Sequence, residues 1–151
     1  MQIYEKTSLI RCDLEALFDF HLQSKNIKLI TPSDTKVILE NENFQAKEGE
    51  VLKITSIKYF IPTKWEVKIA KLERPNLLVD VALKSPFALW EHTHSFKQVG
   101  DFCELTDIVK FKMPFGFFGT LLNSFMMREL KTMFEYRHIK TREILETKEK
   151  R

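Results

Sequence analysis

The chain has 151 residues, of which 44% are hydrophobic, 30% charged and 12% aromatic, the balance of an ordinary globular protein rather than of a disordered, fibrous or membrane-embedded one. At this length about two-thirds of the unfolded chain's surface can be buried, so neither a disulfide nor a metal is needed to hold a fold together. Net charge is +3, and the surplus sits in residues 137–151, where Arg137, Lys140, Arg142, Lys148, Lys150 and Arg151 outnumber Glu143, Glu146 and Glu149; the neutral body argues against a nucleic-acid partner.

Cys12 and Cys103 form no CxxC or Cys/His cluster, so they read as small core hydrophobes in a reducing compartment. No metal and no cofactor is expected. The opening residues Met1 to Lys6 are not a basic segment followed by an apolar run, and no stretch approaches about 18 uninterrupted apolar residues. The expectation is a cytoplasmic protein without stable membrane insertion. Nothing in the pattern specifies an oligomeric state.

In chain order, Ile3 to Ile10 reads as a strand. Asp13 is placed to cap a short helix on which Leu14, Leu17, Phe18 and His21 share a face, and Pro32 closes a second short helical or turn segment. From Thr35 to Met113 the pattern turns to period two, in runs separated by turn signals at Gly49, Pro62, Pro75-Asn76, Ser85-Pro86 and Gly100-Asp101, among others. That predicts six more strands in meander order. Pro114 and Gly116 break the sheet, and Phe117 to about Glu146 reads as one long helix. Leu121, Leu122, Phe125, Met126, Leu130, Met133 and Phe134 form its apolar stripe. At 1.5 Å per residue the helix would span about 45 Å, longer than any strand, so its basic end is expected to project beyond the sheet. With no repeat, linker or low-complexity tract, residues 1–151 read as one domain.

A strand, two small helices, an antiparallel meander and a long helix must bury the sheet's apolar face against that helix. The fold class is therefore α+β, a curved seven-stranded antiparallel sheet gripping a C-terminal helix. Such a sheet leaves a gap beneath the helix unless large side chains fill it.

Register can be read on the last hairpin. A two-residue turn at Gly100-Asp101 puts Glu91 opposite Lys110 and Lys97 opposite Glu104 on one face, both pairs of opposite charge. The other face then carries Trp90 opposite Phe111, His92 opposite Val109, His94 opposite Asp107 and Phe96 opposite Leu105. This face must be the concave one. Three readings are open for His92, His94 and Asp107: a His94–Asp107 pair satisfying itself in the interior, polar groups orienting an apolar ligand, or chemistry through a metal triad or a His general base.

The bulky residues admit two readings as well. Trp90, Phe96 and Phe111 on the sheet, with Phe118, Leu122, Phe125, Met126, Leu130 and Met133 on the helix, are either core or cavity wall. Trp65, just after the Pro62 turn, is a strand-end anchor or a ligand contact at a cavity mouth. Arg137 falls one turn after Met133; the favoured reading is a stem snorkelling at the helix end, the alternative an ion pair with Asp107 or a ligand acid. Phosphate-loop, HExxH and GxSxG motifs are absent.

The element order, with Ser85-Pro86-Phe87, Trp90, His92, His94 and Phe96, then Thr106-Asp107, Val109, Phe111, Pro114-Phe115-Gly116 and Phe134, Tyr136, Arg137, resembles the START-like (SRPBCC) superfamily over nearly the whole chain. Within it, the chain looks most like bacterial ligand-binding or polyketide-cyclase-like members. The resemblance implies a helix-grip fold with a hydrophobic cavity for lipids, sterols, polyketides or similar molecules. Ser85 departs from the glycine usual before Pro-Phe. Catalytic residues vary across the superfamily, so no catalytic role carries over to His92, His94 or Asp107.

The leading expectation is a protein that binds or carries a hydrophobic small molecule, with His94, His92 and Asp107 setting its orientation. The alternative is a cyclase or dehydratase-type enzyme with His94, oriented by Asp107, as general base. A third reading is a protein-interaction module working through the basic helix end.

Overall fold

The computed structural model describes residues 1–149, with side chains described to residue 146. Of the basic tail, Lys150 and Arg151 lie outside the described residues, as does the side chain of Lys148. The elements are β1 (Gln2–Ile10), α1 (Leu14–Leu22), α2 (Asn26–Leu29), β2 (Thr35–Leu39), β3 (Val51–Lys58), β4 (Ile61–Glu73), β5 (Leu77–Lys84), β6 (Leu89–Val99), β7 (Phe102–Lys112), α3 (Phe117–Thr120) and α4 (Asn123–Glu149). One antiparallel sheet runs in the order β1-β7-β6-β5-β4-β3-β2. Six strands thus form the expected meander, and β1 closes against β7.

Local chemistry explains the boundaries. Asp13 accepts a hydrogen bond from the Ala16 amide at 3.1 Å, satisfying an orphan donor in the first turn of α1. Gly100 takes a positive φ of 61° in the β6–β7 turn, and the pairing is the one the charges require: Glu91 with Lys110, Trp90 with Phe111, His94 with Asp107. Irregular pairing between β4 and β5, at Glu66/Val67 and Ile69/Lys71, bends the sheet. At Ser85 the hydroxyl accepts from the Phe87 amide at 3.1 Å, so serine holds this bend through a side-chain turn.

The core has two halves. In one, Leu17 and Phe18 of α1 pack with Ile10, Phe96, Leu105 and Leu145. In the other, Tyr4, Trp90, Val109, Phe111, Leu130 and Phe134 cluster. Phe18, Phe96, Phe111 and Phe134 are almost wholly buried, and each contributes about 1.5–3 kcal/mol relative to an exposed ring. Between the halves, on three separate elements, the buried row turns polar: His92 and His94 between Trp90 and Phe96, Asp107 between Leu105 and Val109, and His138 between Phe134 and Leu145.

Two expectations about the C-terminal helix are corrected. It is not continuous from Phe117: α3 ends at Thr120 and α4 begins at Asn123. Phe115 and Gly116 both adopt positive φ, 67° and 54°, and a Cβ on Gly119 would lie 1.9 Å from the Pro114 carbonyl oxygen. The chain therefore enters α3 through a tight bend that turns the first apolar residues outward. Phe118 is 74% exposed and Leu121 68%, so the start of the supposed stripe faces solvent.

Nor does the basic end project over residues 137–146. The buried row of α4 runs Leu130, Phe134, His138, Thr141 and Leu145, three or four residues apart, so the later half of the helix lies on the sheet. Arg142 donates to the Leu9 carbonyl at 3.0 Å, and Glu146 accepts from the Arg11 amide at 3.1 Å. Among the described residues no helix is long and apolar enough to cross a membrane.

Candidate functional site

Beneath α4 the concave face encloses a cavity of about 230 Å³. Its walls come from α1 and α2, from β2 to β6, and from Met133 and Arg137 of α4. Most of the lining is apolar, including Phe20, Phe44, Leu52, Ile54 and Leu78. Trp65 and Trp90 both face it, with rings nearly perpendicular and centroids 5.2 Å apart. Asp80, His92, His94, His21 and Arg137 interrupt this lining with polar groups.

Strand register builds that polar end. Asp80 pairs with His92 across β5–β6, and His94 with Asp107 across β6–β7, so period two brings all four side chains to one face. Asp107 accepts from His92 Nε2 at 2.7 Å and, through its other oxygen, from His138 Nε2 at 2.6 Å. Ser8 Oγ lies 2.8 Å from His138 Nδ1, which extends the network to β1. His94 Nε2 donates to Asp80 at 3.0 Å, while its Nδ1 lies 3.0 Å from Asp107 without the alignment of a hydrogen bond. The expected His94–Asp107 pair is present as an ion contact at 3.0 Å, but it is not self-contained: Asp107 also accepts from His92 and His138, and the hydrogen bond of His94 goes to Asp80.

The electrostatics follow. Burial alone would lower the His94 pKa, but Asp107 and Asp80 on either side outweigh it and push the imidazole up to about 9. His94 is therefore a buried cation at neutral pH. His92 moves the other way, since burial and the neighbouring His94 charge outweigh the carboxylates. Asp107 is held well below the usual carboxylate range; burial opposes this, but the imidazoles of His138, His92 and His94 prevail. Burial pushes His21 down to about 4, helped by His94. Because His21 Nδ1 donates to the Leu17 carbonyl at 2.9 Å, its Nε2 is left as an acceptor.

Asp80, His92 and His94 also bring one donor atom each within 4.8 Å of one another, a grouping that could hold a metal ion. Two of these residues are already joined, His94 Nε2 to Asp80, and His92 Nε2 is taken up by Asp107 outside the group.

Of the candidate ligand contacts, Trp65, Trp90, His92, His94 and Met133 face the cavity. Asp107 stands behind the two histidines. Phe96 and Phe111 are sealed in the two core halves, with Leu130 in the second and Met126 packed against it. Phe118, Leu122 and Phe125 are exposed for the reason given at the α3 bend. Arg137 is a further correction. It does not snorkel to solvent: it lines the cavity, its Nε is buried without a hydrogen-bond partner, and its guanidinium lies 5.4 Å from the Phe134 ring centroid.

Asp80 and His138 were missed from the sequence. Asp80 stands in Leu77-Leu78-Val79-Asp80-Val81-Ala82, where both faces read apolar and alternation gives no side to the charge. His138 had a signal, its spacing of four from Phe134 and eight from Leu130 along the buried row.

No protein-family model matches the chain, and no curated protein matches it in sequence. Solved structures do match. The Chromobacterium violaceum protein CV1439 superposes with a TM-score of 0.77 at 8% identity, covering 95% of this chain and 96% of its own. A START superfamily protein from Mycobacterium smegmatis gives 0.70 at 11% identity, covering 96% and 97%. Ara h 8.0201 gives 0.67 at 9% identity, covering 93% and 97%. Likeness at such low identity speaks to architecture alone, and with the element order and the gripped helix it makes this the helix-grip fold of the START-like (SRPBCC) proteins.

Proposed function

We propose that the chain, acting as a single ligand-binding domain, binds or carries a hydrophobic small molecule of lipid or polyketide type in the cavity between sheet and α4. The observation that carries this reading is the composition of the cavity: apolar walls with a few convergent polar groups at one place, the combination that orients a mostly apolar ligand. Burial of apolar ligand surface contributes about 25 cal/mol per Å², so the walls supply affinity and the polar groups orientation. The test is organic extraction of purified protein followed by mass spectrometry, with titration of a hydrophobic probe against Trp65 and Trp90 fluorescence. A co-purifying apolar molecule and saturable quenching support the reading. An empty extract together with no quenching by any apolar probe overturns it.

His94 favours a second reading, an acid–base enzyme of cyclase or dehydratase type. A cavity-lining imidazolium held between Asp80 and Asp107 is a proton donor beside the apolar space, rather than the general base expected from an Asp107 pair alone. On this reading His94→Gln abolishes turnover of a polyketide-like substrate while leaving its binding within about threefold.

A further inference from the structure

Among the described residues, Arg137 lines the cavity as a cation with neither a hydrogen-bond acceptor nor an ion-pair partner. The other charged groups of the site have partners within it: Asp107 accepts from His92 and His138, Asp80 accepts from His94, and His94 Nδ1, though it makes no aligned hydrogen bond, lies 3.0 Å from an Asp107 oxygen. The Arg137 guanidinium makes no hydrogen bond or ion pair among the described residues, although its Nε is shut off from solvent. Burial works against its charge and outweighs the carboxylates of Asp107 and Asp80, neither of which forms an ion pair with it. Attraction at a distance leaves the buried Nε–H unsatisfied, and an unmet buried donor carries the desolvation penalty of that group. Phe134, under the guanidinium, supplies a face contact but no acceptor.

We infer that the ligand of this cavity is an amphiphile with a carboxylate group, held by the Arg137 guanidinium while its apolar body lies along Trp65, Trp90 and the apolar wall. A guanidinium presents donors in a planar fork that matches the two oxygens of a carboxylate, and such a pair is stronger and more directional than a neutral hydrogen bond. The inference rests on the ligand-binding reading above and sharpens it to one chemical class. It also explains why an arginine stands on the inward side of α4, one turn beyond Met133, where an apolar residue would otherwise complete the wall.

The test titrates the full chain with dodecanoic acid, methyl dodecanoate and dodecan-1-ol at pH 7.5, following Trp65 and Trp90 fluorescence. The acid is expected to bind at least about tenfold tighter than the ester and the alcohol. In Arg137→Met the acid falls to the affinity of the alcohol, which itself changes less than about twofold, and Arg137→Lys, with the charge but not the fork, lies between. Equal binding of acid, ester and alcohol by the wild-type chain overturns the inference and leaves the hydrophobic-ligand reading standing. So does an ester that matches the acid, or an acid affinity unmoved in Arg137→Met. Failure of all three to bind, with an empty extract, removes both. Should Arg137→Met not fold, the three-ligand comparison on the wild-type chain decides alone.

Discussion

Asp107 of β7 and His138 of α4 meet 2.6 Å apart, carboxylate oxygen to Nε2, in an interior from which water is almost excluded. This contact joins the sheet to the helix at the level where the apolar core divides. The same carboxylate holds His92 at 2.7 Å, so one residue orients an imidazole on each side of the interface.

Removing Asp107 leaves two buried imidazoles without their acceptor and His94 without half of its counter-charge. Asp107→Ala is therefore expected to cost about 3–5 kcal/mol, the range for breaking a buried ion pair at one partner. Asp107→Asn, which keeps the shape and one acceptor oxygen, costs less. Urea denaturation of the three proteins checks this ordering, and an alanine variant as stable as wild type would show that the network holds nothing together.

His94 gives an alkaline limb to stability. Its pKa stands near 9 in the folded chain against an ordinary 6.5, so the folded state binds the extra proton. The stabilisation is complete below about pH 6.5 and is lost as pH rises through 9, by up to about 3 kcal/mol. In His94→Gln, whose amide can still donate to Asp80, the fall across pH 6.5–9.5 is expected to shrink. Denaturation midpoints of both proteins over that range measure the difference, and identical slopes would count against a charged His94.

His21 acts in the opposite sense. Its folded pKa near 4 lies below the ordinary value, so the unfolded chain takes up the proton first. Stability is full above about pH 6.5 and declines as pH falls towards 4, where the loss levels off. His92, also lowered, adds to this acid limb. His21→Phe retains a ring against Phe96, whose centroid lies 4.9 Å away, and should flatten the limb between pH 6.5 and 4. Titration of His21 by NMR near pH 6.5 would contradict it directly.

How far the sequence reached can be judged residue by residue. The register of β6 and β7 was legible because two opposite-charge pairs and a Gly-Asp turn all required one alignment, and that alignment placed Trp90, His92, His94 and Asp107 on the concave face. Their partners were not legible. Asp80 lies in a strand whose two faces are both apolar, and His138, though spaced four from Phe134 and eight from Leu130, is a polar residue that the apolar stripe does not count. That beginning was the main error. Reading the helix as continuous from Phe117 turned Phe118, Leu122 and Phe125 inward, whereas the Pro114–Gly119 bend leaves them exposed; Leu130, Met133 and Phe134 keep the expected face, and Arg137, which follows on it, lines the cavity instead of snorkelling. Periodicity reports which residues share a face, but a helix break decides where along that face burial begins.

That bend can be tested on its own. A Cβ at Gly119 would sit 1.9 Å from the Pro114 carbonyl oxygen and 3.0 Å from Met113 Cβ, and the first of these is backbone that cannot swing aside. Gly119→Ala must therefore open the turn or displace α3, at about 1–3 kcal/mol, the usual cost of forcing volume into a filled site. Gly49 provides the comparison: nothing lies within 4 Å of its added Cβ, but its φ of 90° strains any L-residue, so Gly49→Ala loses backbone freedom without a clash. If both variants fold, only Gly119→Ala is expected to change the setting of α4 and with it Arg137, so only that variant should weaken binding of an apolar probe in the cavity. Equal loss of stability in the two, with probe binding untouched in Gly119→Ala, would mean that the bend does not govern where Arg137 points.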